Sequence, residues 1–320
     1  MSQHFLISAK SRTLSVKDVR AMGEEKAYET FCKLRWATND GAPNCPRCGS
    51  LKAYNVTRGR RFKCGDCKHQ YSATSGTIFS SRKMAYTDLL MGICLFVNAV
   101  KGVSSLQFAR DMGCHAKTAF VMLHKLREAV AAETKNEKLF GEIEIDGAYF
   151  GGHIRPANLK ENRIDRRLWV HQTNKRRVVV ALRQRGGRTM PFVSTSESHG
   201  VLIATSTVKP GSTMIADEAA HWNALHASYK TDRINHSEAY SLDGVHTNFV
   251  ESYFSRLRRM VQGQHHFVSA RHLGQYASEA AWKEDHRRID NGALAYRALG
   301  LALAHSPSKF FAGYWHRHAA

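Results

Sequence analysis

Hydrophobic and polar positions divide the chain into stretches of different period. Residues 14–37 place Ala27, Phe31, Leu34 and Trp36 on one side at helical spacing. Residues 84–131 keep that period. Tyr86 to Val100 reads as one apolar helix, followed by a helix, a turn at Gly113 and a second helix from Lys117 onward. From Glu142 the period changes to two. The alternation in G-E-I-E-I-D-G-A-Y-F puts Ile143 and Ile145 on one side of a strand and Glu142, Glu144 and Asp146 on the other. Three carboxylates on one strand face repel one another, so a cationic group is expected opposite them.

A hairpin turning at Arg185-Gly186-Gly187 comes next. After it the pattern predicts a short helix near Val201–Thr207, a strand ending at Asp217 and a helix from Ala219 to Tyr229. A strand around Arg233 to Tyr240 and a long helix after His246 complete the series. Three strands, then helix, strand, helix, strand, helix is an α/β order with a mixed sheet. It fits a ribonuclease-H-like core in which the first and fourth strands lie side by side.

Between the helical stretches stand C-P-R-C and, fifteen residues on, C-G-D-C, contributing Cys45, Cys48, Cys64 and Cys67. A C-x-x-C turn presents two thiolates from one tight loop, and two such turns close a tetrahedral shell around Zn²⁺. A strand module of this size buries too little apolar surface to fold alone, so the expected zinc is structural. His69 lies close by and reads as a surface residue because the ligand set is already complete. Cys32, Cys94 and Cys114 are left over and read as small core residues.

Composition changes the picture in one respect. Lys and Arg number 47 against 27 Asp and Glu, a net charge of +20, and a surplus that large predicts a polyanionic partner. An acidic membrane surface fits less well, because no amphipathic basic helix is present. The longest apolar run, Leu89 to Val100, is too short to span a bilayer, and residues 1–10 lack a secretory pattern. The expectation is a soluble cytoplasmic protein, associated with the nucleoid, with no membrane partner and no small-molecule substrate. The helix pair around Gly113 has helix-turn-helix spacing and would offer Lys117, Thr118, His124 and Lys125 to a DNA groove; an ordinary helical hairpin shares the pattern.

The candidate chemistry lies in three carboxylates. In the expected topology Asp146 ends the first strand and Asp217 the fourth, so they become neighbours, and Glu251 follows on the last helix. At about 100° per residue, Asn248, Glu251, Ser255 and Arg258 share one face of that helix beside an apolar stripe of Val250, Phe254, Leu257 and Val261. Oxygen ligands of this kind suit Mg²⁺ or Mn²⁺, and such a site performs metal-assisted phosphoryl transfer. Taken singly, each carboxylate has a plainer role: Asp146 in a turn with Gly147, Asp217 as a helix cap, Glu251 as a solvated helix residue. Glu144 and Glu218 are the nearest decoys.

E-I-D-G-A-Y-F-G-G, A-D-E-A, N-H-S-E-A-Y, H-T-N-F-V-E-S-Y-F-S-R-L-R-R and G-Q-H-H-F-V-S resemble the DDE-type insertion-sequence transposases with an ISXO-like catalytic domain, the fifteen-ninety-five group. C-P-R-C-G-S, F-K-C-G-D-C and S-G-T-I-F resemble the same family's N-terminal module, and the likeness runs from about Phe31 to Arg288. It implies binding to the terminal inverted repeats of an element, cleavage at the element ends and Mg²⁺-dependent joining of 3′ ends to target DNA. Asp146, Asp217 and Glu251 would form the metal-binding triad. Asn248 stands as rival or partner of Glu251, because some members carry Asn as the third signature residue. Arg258 occupies a position where the family usually has lysine near DNA, with Arg259 beside it. His236 and His246 match family positions, either at the scissile phosphate or in core hydrogen bonds.

The loop from Gly151 to Arg177 carries eight Lys/Arg against two acids and contributes Lys175, Arg176 and Arg177 as candidate DNA contacts, although it differs from the more Lys/Gly-rich loop usual there. Trp222 is a candidate for base stacking or for core packing. The expected organisation is an N-terminal helical segment over 1–40, a zinc ribbon over 41–80 and a helical DNA-binding region over 81–131. A linker over 132–141 leads to the ribonuclease-H-like domain over 142–290, and a C-terminal helix and tail fill 291–320. Synapsis of two element ends implies a homo-oligomer on DNA. A non-catalytic DNA-binding regulator and a metal-dependent nuclease without strand joining are the alternatives.

Overall fold

The computed structural model describes residues 4–56, 60–151, 157–165, 176–235, 237 and 241–317. The chain divides into two compact units, one formed by Met1–Glu133 with His286–Ala320 and the other by Thr134–Asp285.

In the first unit, α1 (Val16–Arg35) starts at a capping box in which Ser15 and Asp18 each satisfy the other's backbone N–H, and it is broken at Gly23, whose φ of 75° no helix tolerates. The ribbon follows as an antiparallel sheet of β1 (Ala53–Val56), β2 (Arg61–Cys64) and β3 (Gln70–Tyr71). Helix α2 (Tyr86–Asn98) has no capping side chain of its own. Glu24 supplies the cap from α1, accepting the backbone N–H of Tyr86 at 3.1 Å and of Thr87 at 2.9 Å. Helices α3 (Ser105–Met112) and α4 (Ala116–Ala131) are joined through Gly113 in the left-handed conformation, φ 61°, where the sequence expects the turn.

The C-terminal helix Asn291–Ala304 packs against α1, α2 and α4 in this same unit. The tail beyond it settles on α4. His124 is fully buried, its ring stacked 4.9 Å from Phe311, and the Trp315 indole N–H donates to the Lys117 carbonyl at 3.1 Å. His124 is therefore a core residue of the tail contact, which corrects the expectation that it faces a groove. The periodicity of α4 alone does not distinguish a face covered by a distant segment from one left to solvent.

The second unit is built on a five-stranded sheet in the order β6-β5-β4-β7-β8, from β4 (Glu142–Phe150), β5 (Arg177–Gln184), β6 (Thr189–Ser194), β7 (Thr213–Asp217) and β8 (Lys230–Ile234). The first and fourth of these strands are parallel neighbours, as the ribonuclease-H-like reading requires. One face, with Ile143, Ile145, Val178, Val180, Met214 and Ala216, packs on α5 (Gly200–Thr207) and the 3-10 segment Ala220–Ala227. The other, with Ala148, Phe150, Val179 and Ala181, packs on α6 (Asn248–Met260) and α7 (Ala270–Asp285). Among the described residues no helix is long and apolar enough to cross a membrane.

Three expectations are corrected here, and one open alternative is decided. The segment after Asp217 is a 3-10 helix, not an α-helix over 219–229; its buried residues Trp222 and Leu225 stand three apart, the spacing that eclipses on a 3-10 turn. Trp222, 1% exposed, belongs to the core and offers no face to a base. The last strand begins at Lys230, earlier than Arg233, and ends at Ile234. In the stretch expected to be a linker, Leu139 is buried and bridges to Val208, so the second half is already part of the sheet unit.

Candidate functional sites: a thiol cluster and a carboxylate cluster

Two hairpin knuckles build the thiol cluster. In the first, Gly49 N–H bonds to the Cys45 carbonyl at 2.8 Å and Gly49 takes φ 75°. In the second, Lys68 occupies the equivalent left-handed position at φ 59°. The sulfur atoms of Cys45 and Cys67 lie 3.6 Å apart, as do those of Cys48 and Cys64, and all four lie within 4.8 Å of one another. Backbone N–H groups of Cys67 and then Asp66 pull the Cys64 thiol down to about 6, which favours the thiolate that a metal needs. Zn²⁺ fits this donor set. Cys32 and Cys94 are buried, as expected of spare thiols, whereas Cys114 is half-buried.

The carboxylate cluster arises from sheet register. β4 pairs with β7 from Glu142↔Thr213 to Glu144↔Ile215, and the same register carried two residues further sets Asp146 level with Asp217. Asp146 lies inside β4, which runs on to Phe150, and so does not end its strand as expected. Gly147 is a strand residue too, not part of a turn. Asp217 does end β7, and its Oδ1 accepts the Ala219 N–H at 3.2 Å. Glu251 sits in the first turn of α6, half-buried, accepting the Thr247 hydroxyl at 2.7 Å. The apolar stripe expected beside it is buried throughout: Val250, Phe254, Leu257 and Val261.

Burial pushes the Asp146 carboxyl up to about 7, against the pull of the Gly147 N–H, and the charges of Asp217, Glu197 and Glu251 add to the rise. Asp146 therefore lies in the field of the other two candidate carboxylates. Among the described residues only the cysteines bring three or more ligand atoms within 4.8 Å; the carboxylate oxygens are more widely spaced. Hard oxygen donors in a shared negative field suit a divalent cation such as Mg²⁺ or Mn²⁺.

Glu144, read from sequence as a decoy, anchors the site's helix. It is fully buried, and its Oε2 accepts the N–H groups of Phe249 and Val250, both at 2.9 Å, at the start of α6. The cation expected opposite the strand carboxylates is Arg185, whose guanidinium reaches Glu142 at 2.8 Å and Glu144 at 3.1 Å. Arg185 also donates to the carbonyls of Gly244 and His246, tying down the loop that enters α6. His246 stands with Nδ1 3.2 Å from Glu144 Oε1, in this anchoring network.

Glu197 escapes sequence reading. It lies in a Ser-rich loop with no strand or helix period around it, yet its carboxylate covers Gly147 so closely that a Cβ there would come 2.6 Å from Glu197 Cγ. His221 Nε2 is 3.5 Å from its Oε2. The one available signal is the glycine itself, placed in mid-strand where a close approach requires it.

Of the remaining candidates, Asn248 is exposed at the first position of α6, and Arg258 and Arg259 are exposed near its end. Arg176 has its guanidinium 4.6 Å from the Tyr149 ring, and Arg177 begins β5. Lys117 and Lys125 line a 640 Å³ cleft shared with the C-terminal tail, and burial pulls the Lys125 ammonium down. His236 and Lys175 lie outside the described residues.

A four-thiol ribbon and a five-stranded mixed sheet in the ribonuclease-H-like order define a zinc-ribbon protein with an α/β core. Residues 138–285 match the family model of the ISXO2-like transposase domain, and residues 22–70 match that of the transposase zinc-ribbon domain. The chain carries the two domains of the transposase family that its motifs resemble. No curated protein matches it.

Proposed function

We propose that this protein is a DNA transposase that binds the terminal inverted repeats of an insertion sequence, cleaves at the element ends and joins the freed 3′ ends to target DNA. The observation that carries the reading is the electrostatic coupling of Asp146 to Asp217 and Glu251, three carboxylates from distant segments of a domain matched by a transposase family.

Asp146, Asp217 and Glu251 would hold the magnesium or manganese. Such ions, when bound, activate a water or 3′-hydroxyl and stabilise the leaving oxygen of a phosphodiester. Asp146 must release its proton to become a ligand, which its burial and then its acidic neighbours oppose until a cation offsets them. Glu144 and Arg185 act through position, holding the start of α6 and with it Glu251. Asn248, one turn before Glu251, stands beside it as an accessory ligand or partner. Arg258, Arg259 and Arg176 offer exposed charge to the phosphates of the bound strand. The ribbon and the α3–α4 pair, with Lys117 and Lys125, contribute end recognition, and two copies hold two ends together.

The test is a strand-transfer assay with Mg²⁺ on DNA carrying the element ends. A transposase joins 3′ ends to a target. Cleavage without joining would identify a nuclease, and binding without either would identify a regulator.

A further inference from the structure

Beside the ribbon is a recess of about 390 Å³ unlike the other features of the first unit. Arg61 from β2 and Arg82 from the segment before α2 line it, together with Tyr71, Ser72, Thr74 and Ser75; none of its lining residues is acidic and none aliphatic. Arg61 is exposed and makes no ion pair among the described residues, in contrast to Arg60, which is held by Glu24 and Glu25 at 2.8 and 2.7 Å. Arg82 is held in place, its guanidinium 3.6 Å over the Tyr86 ring and Nη1 donating to the Met84 carbonyl, but its buried Nε–H has no acceptor.

A buried donor without an acceptor is costly, and the Nε–H of Arg82 at a recess that also carries the Arg61 guanidinium calls for an oxygen-rich anion. The hydroxyls of Ser72, Thr74 and Ser75, within 3.3 Å of one another through Ser72, form a polar wall that can donate to such a group by rotating. A volume near 390 Å³ exceeds what one small ion needs and lies in the range of sites that hold a larger group.

We infer that this recess is a binding site for a backbone phosphate of duplex DNA, gripped by Arg61, Arg82 and the hydroxyl wall. The inference rests on the DNA-binding reading above and adds to it a contact that carries no sequence information: it sets the position of the ribbon on the duplex while other groups read bases.

The test compares the full-length, zinc-loaded protein with Arg61→Ala and Arg61→Lys in binding to duplex DNA over a range of KCl concentrations, without added magnesium. Zinc content and the melting profile should be unchanged in both variants, because the Arg61 side chain is exposed and makes no ion pair among the described residues, while its backbone pairing with Val56 is kept. Arg61→Ala should weaken binding roughly tenfold, whatever the DNA sequence. It should also reduce the slope of log affinity against log salt by about 0.9, the signature of one lost phosphate contact. Arg61→Lys should retain the slope. Equal affinity and slope in Arg61→Ala and the parent would overturn the inference. So would inorganic phosphate, titrated alone, shifting the NMR signals of Arg61 and Ser75 while the alanine variant leaves the DNA slope intact; the recess would then take free phosphate. A parent protein that binds no DNA fails both readings, and that failure is seen before any variant is compared.

Discussion

The thiol cluster is closed and the carboxylate cluster is open, and under the proposed function the two would hold different kinds of metal. Four sulfurs lie within 4.8 Å of one another because two tight turns place them there, and local amides stabilise the thiolate at Cys64. The carboxylates come from a mid-strand position, a strand end and a helix start, and burial, with their charges added, raises Asp146. A closed shell of soft ligands makes a staple. An open, mutually repelling set of hard ligands is suited to an ion that must also meet a substrate.

Stripping zinc, or Cys64→Ser, tests the first half of that contrast and should have the largest effect. Structural zinc contributes on the order of 10 kcal/mol to a small module, so residues 41–80 should become protease-sensitive while residues 134–285 stay protected. Simultaneous loss of both units would break the comparison. Asp217→Ala tests the other half: strand cleavage and joining should fall by at least ~10³-fold, with DNA affinity within about twofold of the parent. Normal joining by that variant would remove Asp217 from the site.

Glu144→Ala asks whether the carboxylate that looks spare is the anchor. Arg185 and the start of α6 would lose their buried partner, at a cost of ~3 kcal/mol in denaturant unfolding of the second unit. A loss under about 0.5 kcal/mol would return Glu144 to the decoys. The smallest effect is a pH dependence. The folded Asp146 carboxyl keeps its proton up to about pH 7, whereas the unfolded one releases it near the ordinary carboxylate value. Its contribution is therefore most favourable at low pH and is lost as pH rises through that window, by roughly 2 kcal/mol between pH 5 and 7 without added magnesium. Asp146→Asn should flatten this slope, and in the parent protein Mg²⁺ at pH 7 should restore the stability. A parent profile as flat as that of the variant would mean that Asp146 is not held protonated by burial and its acidic neighbours.

Much of this contrast is legible along the chain. The zinc ligands, the strand order, the buried stripe of α6 and the need for a cation opposite Glu142, Glu144 and Asp146 all follow from spacing and charge between near neighbours. The identity of that cation does not: Arg185 looks like a turn residue until the hairpin brings it back over β4. Glu197 carries no periodic signal, and the burial of His124 depends on a tail nearly two hundred residues away.

Sequence alone settled most of the elements and the thiol ligands, because turns, strand alternation and helix stripes are set by interactions within a few residues. Only the folded chain decided which carboxylate is buried as an anchor, which is pushed toward neutrality and which basic residues remain exposed. Those outcomes depend on desolvation and on charges brought close by sheet register, and both are properties of spatial neighbours that no local spacing encodes.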